Sequence, residues 1–128
     1  MSLPEQEHET LLERGITFEV IPEAGITNVV FPNWPLPPGF DQESADLLVR
    51  LPAGFPDVPP DMWWFHPPVR LVDGNAIPAT EVIEVHLGRD WQRWSRHFTP
   101  GQWNSGVDGI ENYLALIARE LLSLVPAA

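Results

Sequence analysis

Apolar and polar residues alternate through much of the first half of the chain, and a period of two is typical of strands that bury one face. Four stretches show this alternation or are rich in β-branched and aromatic residues: ITFEVI (16–21), ITNVVF (26–31), ADLLVRLP (45–52) and MWWF (62–65). Together they predict a four-stranded antiparallel meander. In its last strand, Trp63 and Trp64 are expected to point to opposite faces of the sheet.

Helical signals lie at both ends of the chain. Ser2 begins a stretch that resembles a capping box, and Gly15 can take the left-handed conformation that closes a helix, so a first helix is predicted at about residues 3–14. Near the C terminus the apolar period changes to three and four, with Ser105 and Asp108 placed like a capping pair. The apolar stripe of this amphipathic C-terminal helix consists of Val107, Ile110, Leu114, Ile117, Leu121 and Leu124.

The connecting segments are rich in proline, which lacks a backbone donor and fixes φ. NWPLPPGF (33–40) is therefore predicted to be a loop, and the segment from residue 67 to about residue 79 is predicted to be irregular. One more β-like run, TEVIEVHL (80–87), ends around His86. The elements together indicate a single α+β domain over residues 1–128.

Composition narrows the range of functions. The 128 residues carry 18 acidic and 7 basic side chains, and the formal charge of −11 repels nucleic-acid phosphates and anionic lipid. No apolar run approaches the roughly 20 residues that cross a bilayer, and the acidic N-terminal stretch is unlike a signal peptide, so we expect a cytoplasmic protein. The chain has no cysteine, which excludes disulfides, thiolate nucleophiles and cysteine-based zinc sites.

Two local motifs point to a family. The turn FPDVPP (55–60) follows the third predicted strand, and Trp94-Ser95 precedes the C-terminal helix. With the order of helix, meander, turn and closing helix, these motifs resemble the ubiquitin-conjugating superfamily, which has a Tyr-Pro-x-x-Pro-Pro turn and a Trp-Ser-Pro element after its catalytic cysteine. The stretch WQRWSRHF (91–98), followed by Trp103 and DGIENYL (108–114), looks most like prokaryotic family E of that superfamily, in a variant that lacks the cysteine.

The resemblance implies a ubiquitin-conjugating-like fold and a place in a bacterial ubiquitin-like pathway. Members of this branch are associated with activating enzymes, JAB-type peptidases and multi-ubiquitin-domain proteins, so a ubiquitin-like protein and its activating enzyme are the implied partners. Phe55, Pro56, Pro59 and Pro60 are interpreted as a rigid structural turn, because proline lowers the entropy lost when a connection is ordered. The oligomeric state is left open.

His86 lies near the position that the family's cysteine would occupy. Imidazole can act as a nucleophile, a base or a metal ligand at neutral pH. An acyl-imidazole hydrolyses readily, however, so His86 would be a poor long-lived acyl carrier. A packing or hydrogen-bonding role, a partner contact and chemistry all remain open for His86, and His97 is a second catalytic candidate. His66-Pro67 is similar to the first two residues of the family's His-Pro-Asn element.

Metal binding and partner binding are weighed against plain structural roles. We expect no cofactor, with a divalent metal as an alternative, because the spacing of the four possible ligands matches no compact motif. These ligands are His66, His86, His97 and Asp90. The tryptophans are expected to pack in the core or to anchor a partner, and the arginines to form a solvated face or to meet an acidic partner. The candidate partner contacts are Trp34, Trp91, Trp94, Trp103, Arg93 and Arg96.

Two functions follow from this reasoning. The first is a non-thioester binding or adaptor module for a ubiquitin-like protein or its activating enzyme. The alternative is a histidine- or metal-dependent enzyme for acyl transfer or hydrolysis, centred on His86. The alternative predicts that His86, His97 and an acidic side chain converge in a pocket.

Overall fold

The computed structural model describes residues 3–97, 102–104 and 106–125. In chain order the elements are α1 (Glu5–Glu13), β1 (Glu19–Glu23), β2 (Ile26–Pro35), β3 (Ser44–Leu51), β4 (Trp63–His66), β5 (Ile83–His86), β6 (Arg89–Trp94) and α2 (Ile110–Ser123). The strands form one antiparallel sheet in the order β1-β2-β3-β4-β6-β5. The predicted α+β class, with a helix before and a helix after the sheet, is confirmed.

The described sheet has six strands, whereas the sequence predicted a meander of four. The meander itself is present as β1 to β4. Of the two further strands, β5 lies within the β-like run predicted over residues 80–87, and β6 was not predicted. They form a hairpin whose turn residues, Leu87 and Gly88, both have positive φ, as a tight two-residue turn requires. β6 was not predicted because its two tryptophans, Trp91 and Trp94, are three residues apart. They point to opposite faces of the sheet, so the sequence shows no alternation of apolar and polar residues there.

The prediction of a loop over residues 33–40 is wrong for its first residues. β2 continues through Trp34 and Pro35, after a bulge between Phe31 and Trp34. β1 pairs with β2 only as far as Val30, so one side of β2 is unpaired beyond that point. Pro35 has no backbone N–H, and it is tolerated here because β2 has a neighbouring strand on only one side at this position of the described sheet.

The sheet buries side chains on both faces. On the face covered by α1 and α2, Trp63 stacks on Trp94 and meets Tyr113 of α2 edge to face. The opposite face, called the outer face below, carries a smaller buried cluster of Val30, Leu48, Trp64 and Trp91. Trp63 and Trp64 are 1% and 5% exposed on these two faces, which confirms the predicted alternation.

The end of α1 follows the sequence signal. Gly15 has a φ of 69°, its N–H donates to Leu12 O, and the N–H of Ile16 donates to Leu11 O, a pair of bonds that closes the helix. Ser2, the predicted N-cap, lies outside the described residues. The structure places Pro4 at the N-cap position.

The start of α2 differs from the sequence prediction. Val107 lies before the helix and is exposed, and Ser105 lies outside the described residues. The N–H of Gly109 donates to Asn112 Oδ1 at 2.9 Å, and the N–H of Ile110 donates to Glu7 Oε2 of α1 at 3.1 Å. A carboxylate of the first helix thus caps the second, where it also meets the positive end of the helix dipole.

A buried glutamine fastens the irregular segment before β5 to the sheet. Gln92 Oε1 accepts hydrogen bonds from the N–H of Val69 at 2.8 Å and from Trp94 Nε1 at 2.9 Å. Gln92 Nε2 donates to Val69 O at 3.1 Å. Because these groups are buried, they would be left without partners if the amide were removed.

We therefore expect Gln92→Met to lower the free energy of unfolding by about 2 to 4 kcal/mol, since several buried polar groups would lose their hydrogen bonds. Urea denaturation followed by tryptophan fluorescence measures the change. The control is Gln6→Met on the exposed side of α1, which should change stability by less than about 0.5 kcal/mol. Equal losses in the two variants would contradict a structural role for the Gln92 amide.

Candidate functional site

The proline turn is attached to the helix layer. Phe55 is buried in the main core, and Trp103 Nε1 donates to Pro56 O at 2.8 Å. The ring of Trp103 also packs against Phe55 and against Tyr113 of α2. Pro60 is buried where the turn leads toward β4. These contacts favour the structural interpretation of Phe55, Pro56, Pro59 and Pro60.

His86 lies at the end of β5, on the outer face. Its Nε2 is 3.0 Å from Glu84 Oε1, its ring meets Trp64 edge to face, and its side chain is only 14% exposed. Glu84 also accepts hydrogen bonds from Trp64 Nε1 and Arg93 Nη1, both at 2.9 Å. The geometry therefore supports a packing and hydrogen-bonding role for His86.

The Glu84 carboxylate is the centre of this outer-face network. Burial alone would raise its pKa, but the hydrogen bonds from His86, Trp64 and Arg93 outweigh burial, and the nearby charge of Arg93 adds to them. The pKa of Glu84 is consequently held below its ordinary value. The ionised carboxylate stabilises the packing of β5 against β6 and β4.

The four candidate metal ligands do not converge. His66 Nδ1 is 2.7 Å from the backbone oxygen of Asp90, so this nitrogen carries the proton and donates. His86 contacts Glu84, and His97 contacts Asp61. Over the ranges that the structure describes, no group of three histidine, aspartate or glutamate side chains is arranged to hold a metal ion.

Two of the proposed partner anchors are core residues. Trp91 and Trp94 are fully buried, on the outer face and the helix-covered face, so neither can reach a partner without unfolding of the sheet. Trp34 and Trp103 are half-buried and keep part of their surface in solvent. Of the two roles that the sequence left open, the structure gives Trp91 and Trp94 the core role, and partner contact stays open for Trp34 and Trp103.

The arginines of the charged run do not form a free solvated face. Each pairs with a carboxylate of another segment, across the sheet or onto α2. The pairs are Arg89 with Asp46, Arg93 with Glu84, and Arg96 with Glu120, all at 2.9 Å. These side chains serve first to hold β6 in place.

Three polar side chains that the sequence analysis did not group meet just after β6. His97 Nδ1 is 2.7 Å from Asp61 Oδ1, and His97 Nε2 is 3.2 Å from Ser95 Oγ. His97 and Asp61 are 58% and 54% exposed, so solvent and ligands can reach them. We call Ser95, His97 and Asp61 the loop triad. Asp61 lies far away in sequence, and only the pairing of β6 with β4 brings it beside His97.

Backbone hydrogen bonds hold the loop triad in position. The N–H of Met62 donates to Arg96 O at 3.0 Å, and Tyr113 Oη donates to Met62 O at 2.6 Å. Burial, together with the nearby Asp61 charge, raises the pKa of Tyr113, so its hydroxyl remains a donor. Arg96 is fixed by Glu120 and by Pro78 O.

A cleft of about 440 Å³ adjoins His97. Its walls combine apolar and charged side chains from β4, α2 and the segment after β6. They include Trp63, Arg96, His97, Tyr113, Leu116 and Arg119. The guanidinium of Arg96 is paired with the Glu120 carboxylate, and Arg119 adds a second guanidinium to the cleft lining.

The edge strand β5 carries exposed apolar side chains that the sequence analysis did not single out. Ile83 and Val85 lie on one face of β5, and Val82 just before the strand is exposed as well. Among the described strands β5 pairs only with β6. The apolar residues were visible in the run over residues 80–87. They could not be assigned to a surface until the position of β5 at the sheet edge was known.

Neither of the helices in the described part of the chain combines the length and the apolar character needed to span a bilayer.

The Glu84 network generates a pH-dependent prediction. In the folded protein the pKa of Glu84 lies below its ordinary value of 4.5, so the ionised carboxylate contributes its full stabilisation above pH 4.5. This stabilisation is lost as the pH falls through the pKa that Glu84 has in the folded protein. The stability advantage of wild type over Glu84→Gln should therefore be largest at neutral pH and shrink between about pH 5 and pH 3. Urea denaturation across this range tests it. The control Glu81→Gln, at an exposed neighbouring position, should show a small and constant difference.

The comparisons with known proteins agree with the motifs and the fold. The family model described as prokaryotic E2 family E matches residues 3–123, which is nearly the whole chain. No curated protein and no solved structure gives a significant match. The chain therefore belongs to prokaryotic E2 family E, as a member that contains no cysteine.

Proposed function

We propose that this protein is a non-thioester adaptor in a ubiquitin-like conjugation pathway and that it binds a ubiquitin-like protein or its activating enzyme. Membership of prokaryotic E2 family E supports a role in such a pathway. The observation that carries the proposal is the combination of the family's fold with a chain that has no thiol. A thioester requires a thiolate, so the fold here is used for recognition.

The residue near the family's cysteine position supports this reading. His86 is engaged by Glu84 and Trp64, and its side chain is mostly covered. A nucleophile must be accessible to the substrate, and the side chain of His86 is only 14% exposed. The alternative of an enzyme centred on His86, with or without a metal ion, consequently has less support.

The edge strand β5 is the surface that fits a protein partner best. Its exposed Ile83 and Val85 offer apolar contact area, and its free edge offers backbone donors and acceptors to an added strand. Apolar contacts combined with backbone hydrogen bonds give affinity that depends little on long-range charge. We assign this edge to the ubiquitin-like protein. Trp34 and Trp103, which lie elsewhere and are half-buried, are the remaining candidates for the activating enzyme.

Calorimetric titration with the ubiquitin-like protein and with the activating enzyme encoded nearest to this chain tests the proposal. We expect a stable non-covalent complex with at least one of them. Val85→Asp should raise the Kd for the ubiquitin-like protein by about tenfold or more, because it places a charge in the apolar contact. His86→Ala should leave the Kd nearly unchanged.

The matched control is Val107→Asp, which introduces the same charge at an exposed valine beside the start of α2. Its Kd should stay within about twofold of the wild-type value. An absence of complex formation with both proteins would refute the adaptor function. A complex that is equally insensitive to Val85→Asp and Val107→Asp would refute the assignment to β5.

A further inference from the structure

We propose that Ser95, His97 and Asp61 form a nucleophilic site that accepts an acyl group from an ester or thioester onto the Ser95 hydroxyl. This inference goes beyond adaptor binding and does not depend on it. It rests on three observations: the hydrogen-bonded chain of the loop triad, its accessibility, and the cleft beside His97.

The hydrogen bonds define which nitrogen of His97 is the base. A carboxylate can only accept, so His97 Nδ1 must carry the proton that it donates to Asp61 Oδ1 at 2.7 Å. In the neutral ring the other nitrogen, Nε2, then has a free lone pair. This lone pair is 3.2 Å from Ser95 Oγ, within reach of the hydroxyl proton. Asp61 therefore selects the tautomer that can activate Ser95.

The three residues have a fixed relation to one another because the surrounding backbone is fixed. Met62 N–H donates to Arg96 O, which joins the segment carrying Asp61 to the segment carrying Ser95 and His97. Arg96, which lies between Ser95 and His97, is held by Glu120 of α2, while Ser95 and His97 meet each other. Preorganisation of this kind is what a general base needs.

The cleft is lined by His97, whose Nε2 is 3.2 Å from Ser95 Oγ, so it can receive the part of the donor beyond the reacting carbon. Trp63 and Leu116 supply an apolar wall, and Arg119 supplies a guanidinium. An ester or thioester donor with an apolar body and an anionic group suits such a wall, because a guanidinium forms charge-assisted hydrogen bonds with an anion.

The chemical step balances within the site. Ser95 Oγ forms a bond to the acyl carbon while its proton passes to His97 Nε2, and the bond from that carbon to the leaving oxygen or sulfur then breaks. The leaving group departs as an anion or takes the proton from His97. The product is a serine ester, which resists water better than an acyl-imidazole because its alkoxide is a poor leaving group. Water or an amine attacks this ester in a second step, with His97 again as the base.

The experiment uses the full chain and p-nitrophenyl acetate, which needs no protein partner. We expect a burst of about one p-nitrophenolate per chain, with the acetyl group found on Ser95 by peptide mass spectrometry. Ser95→Ala should abolish the burst, and His97→Ala should slow acetylation about 100-fold or more. The control Ser44→Ala, at another half-buried serine, should react like wild type.

Asp61 acts as a positioning residue and needs a separate measurement. Asp61→Asn should lower the acetylation rate at saturating ester about tenfold or more, because the wrong tautomer of His97 becomes favoured. The ester concentration at half-saturation should stay unchanged, and so should the thermal midpoint of unfolding. If Asp61 had only a structural role, Asp61→Asn would lower the thermal midpoint of unfolding, and the folded protein would be acetylated at the wild-type rate.

A burst that persists in Ser95→Ala would show that His97 attacks directly and would overturn the proposal. Acetylation spread over other side chains, or a His97→Ala variant that reacts like wild type, would overturn it as well. Since the ester is a small molecule, these outcomes are independent of complex formation with a ubiquitin-like protein. Failure of the adaptor proposal and failure of this one are therefore distinguishable.

Discussion

The antiparallel pairing of β6 with β4 is the constraint on which the rest of this molecule depends. Trp63 lies opposite Trp94 in this ladder, so the chain leaving β6 runs beside the chain entering β4. That adjacency alone brings Asp61 next to His97. It also stacks the two indoles under α2, where Tyr113 ties the helix to the same strand end. Core packing and the exposed polar cluster are consequences of one strand register.

The two faces of the sheet differ in how their polar and charged side chains are paired. On the outer face, buried tryptophans are surrounded by carboxylates and guanidinium groups that pair with one another, so little charge is left unmatched. On the helix-covered face, the Gln92 amide bonds Trp94 Nε1 and the backbone of Val69, whereas the buried Nε1 of Trp63 has no partner among the described residues. The excess negative charge of the chain therefore lies mainly on exposed acids. These contribute to solubility more than to the architecture.

The sequence predicted what depends on local pattern. The first four strands, both helices, the left-handed Gly15 and the opposed faces of Trp63 and Trp64 all follow from periodicity and turn chemistry. It did not predict β6, because that strand buries one tryptophan on each face and has charged residues between them. The loop triad could not be found either, since the separation of Asp61 from His97 is set by strand order. Family resemblance directed attention to His86, which is 14% exposed, whereas His97 is 58% exposed.

The cap that Glu7 provides to α2 joins the two ends of the chain. Its carboxylate meets the N–H of Ile110, and a methyl group at Gly109 would collide with it. Arg14, the C-cap of α1, pairs with Glu111, the residue after Ile110. The first helix is thus a clamp on the helix that carries Tyr113 and Arg119. Fusion of another domain ahead of residue 3, or proteolytic removal of α1, would alter the contacts that hold the start of α2. Either change would therefore affect the position of the cleft residues on α2 without touching them directly.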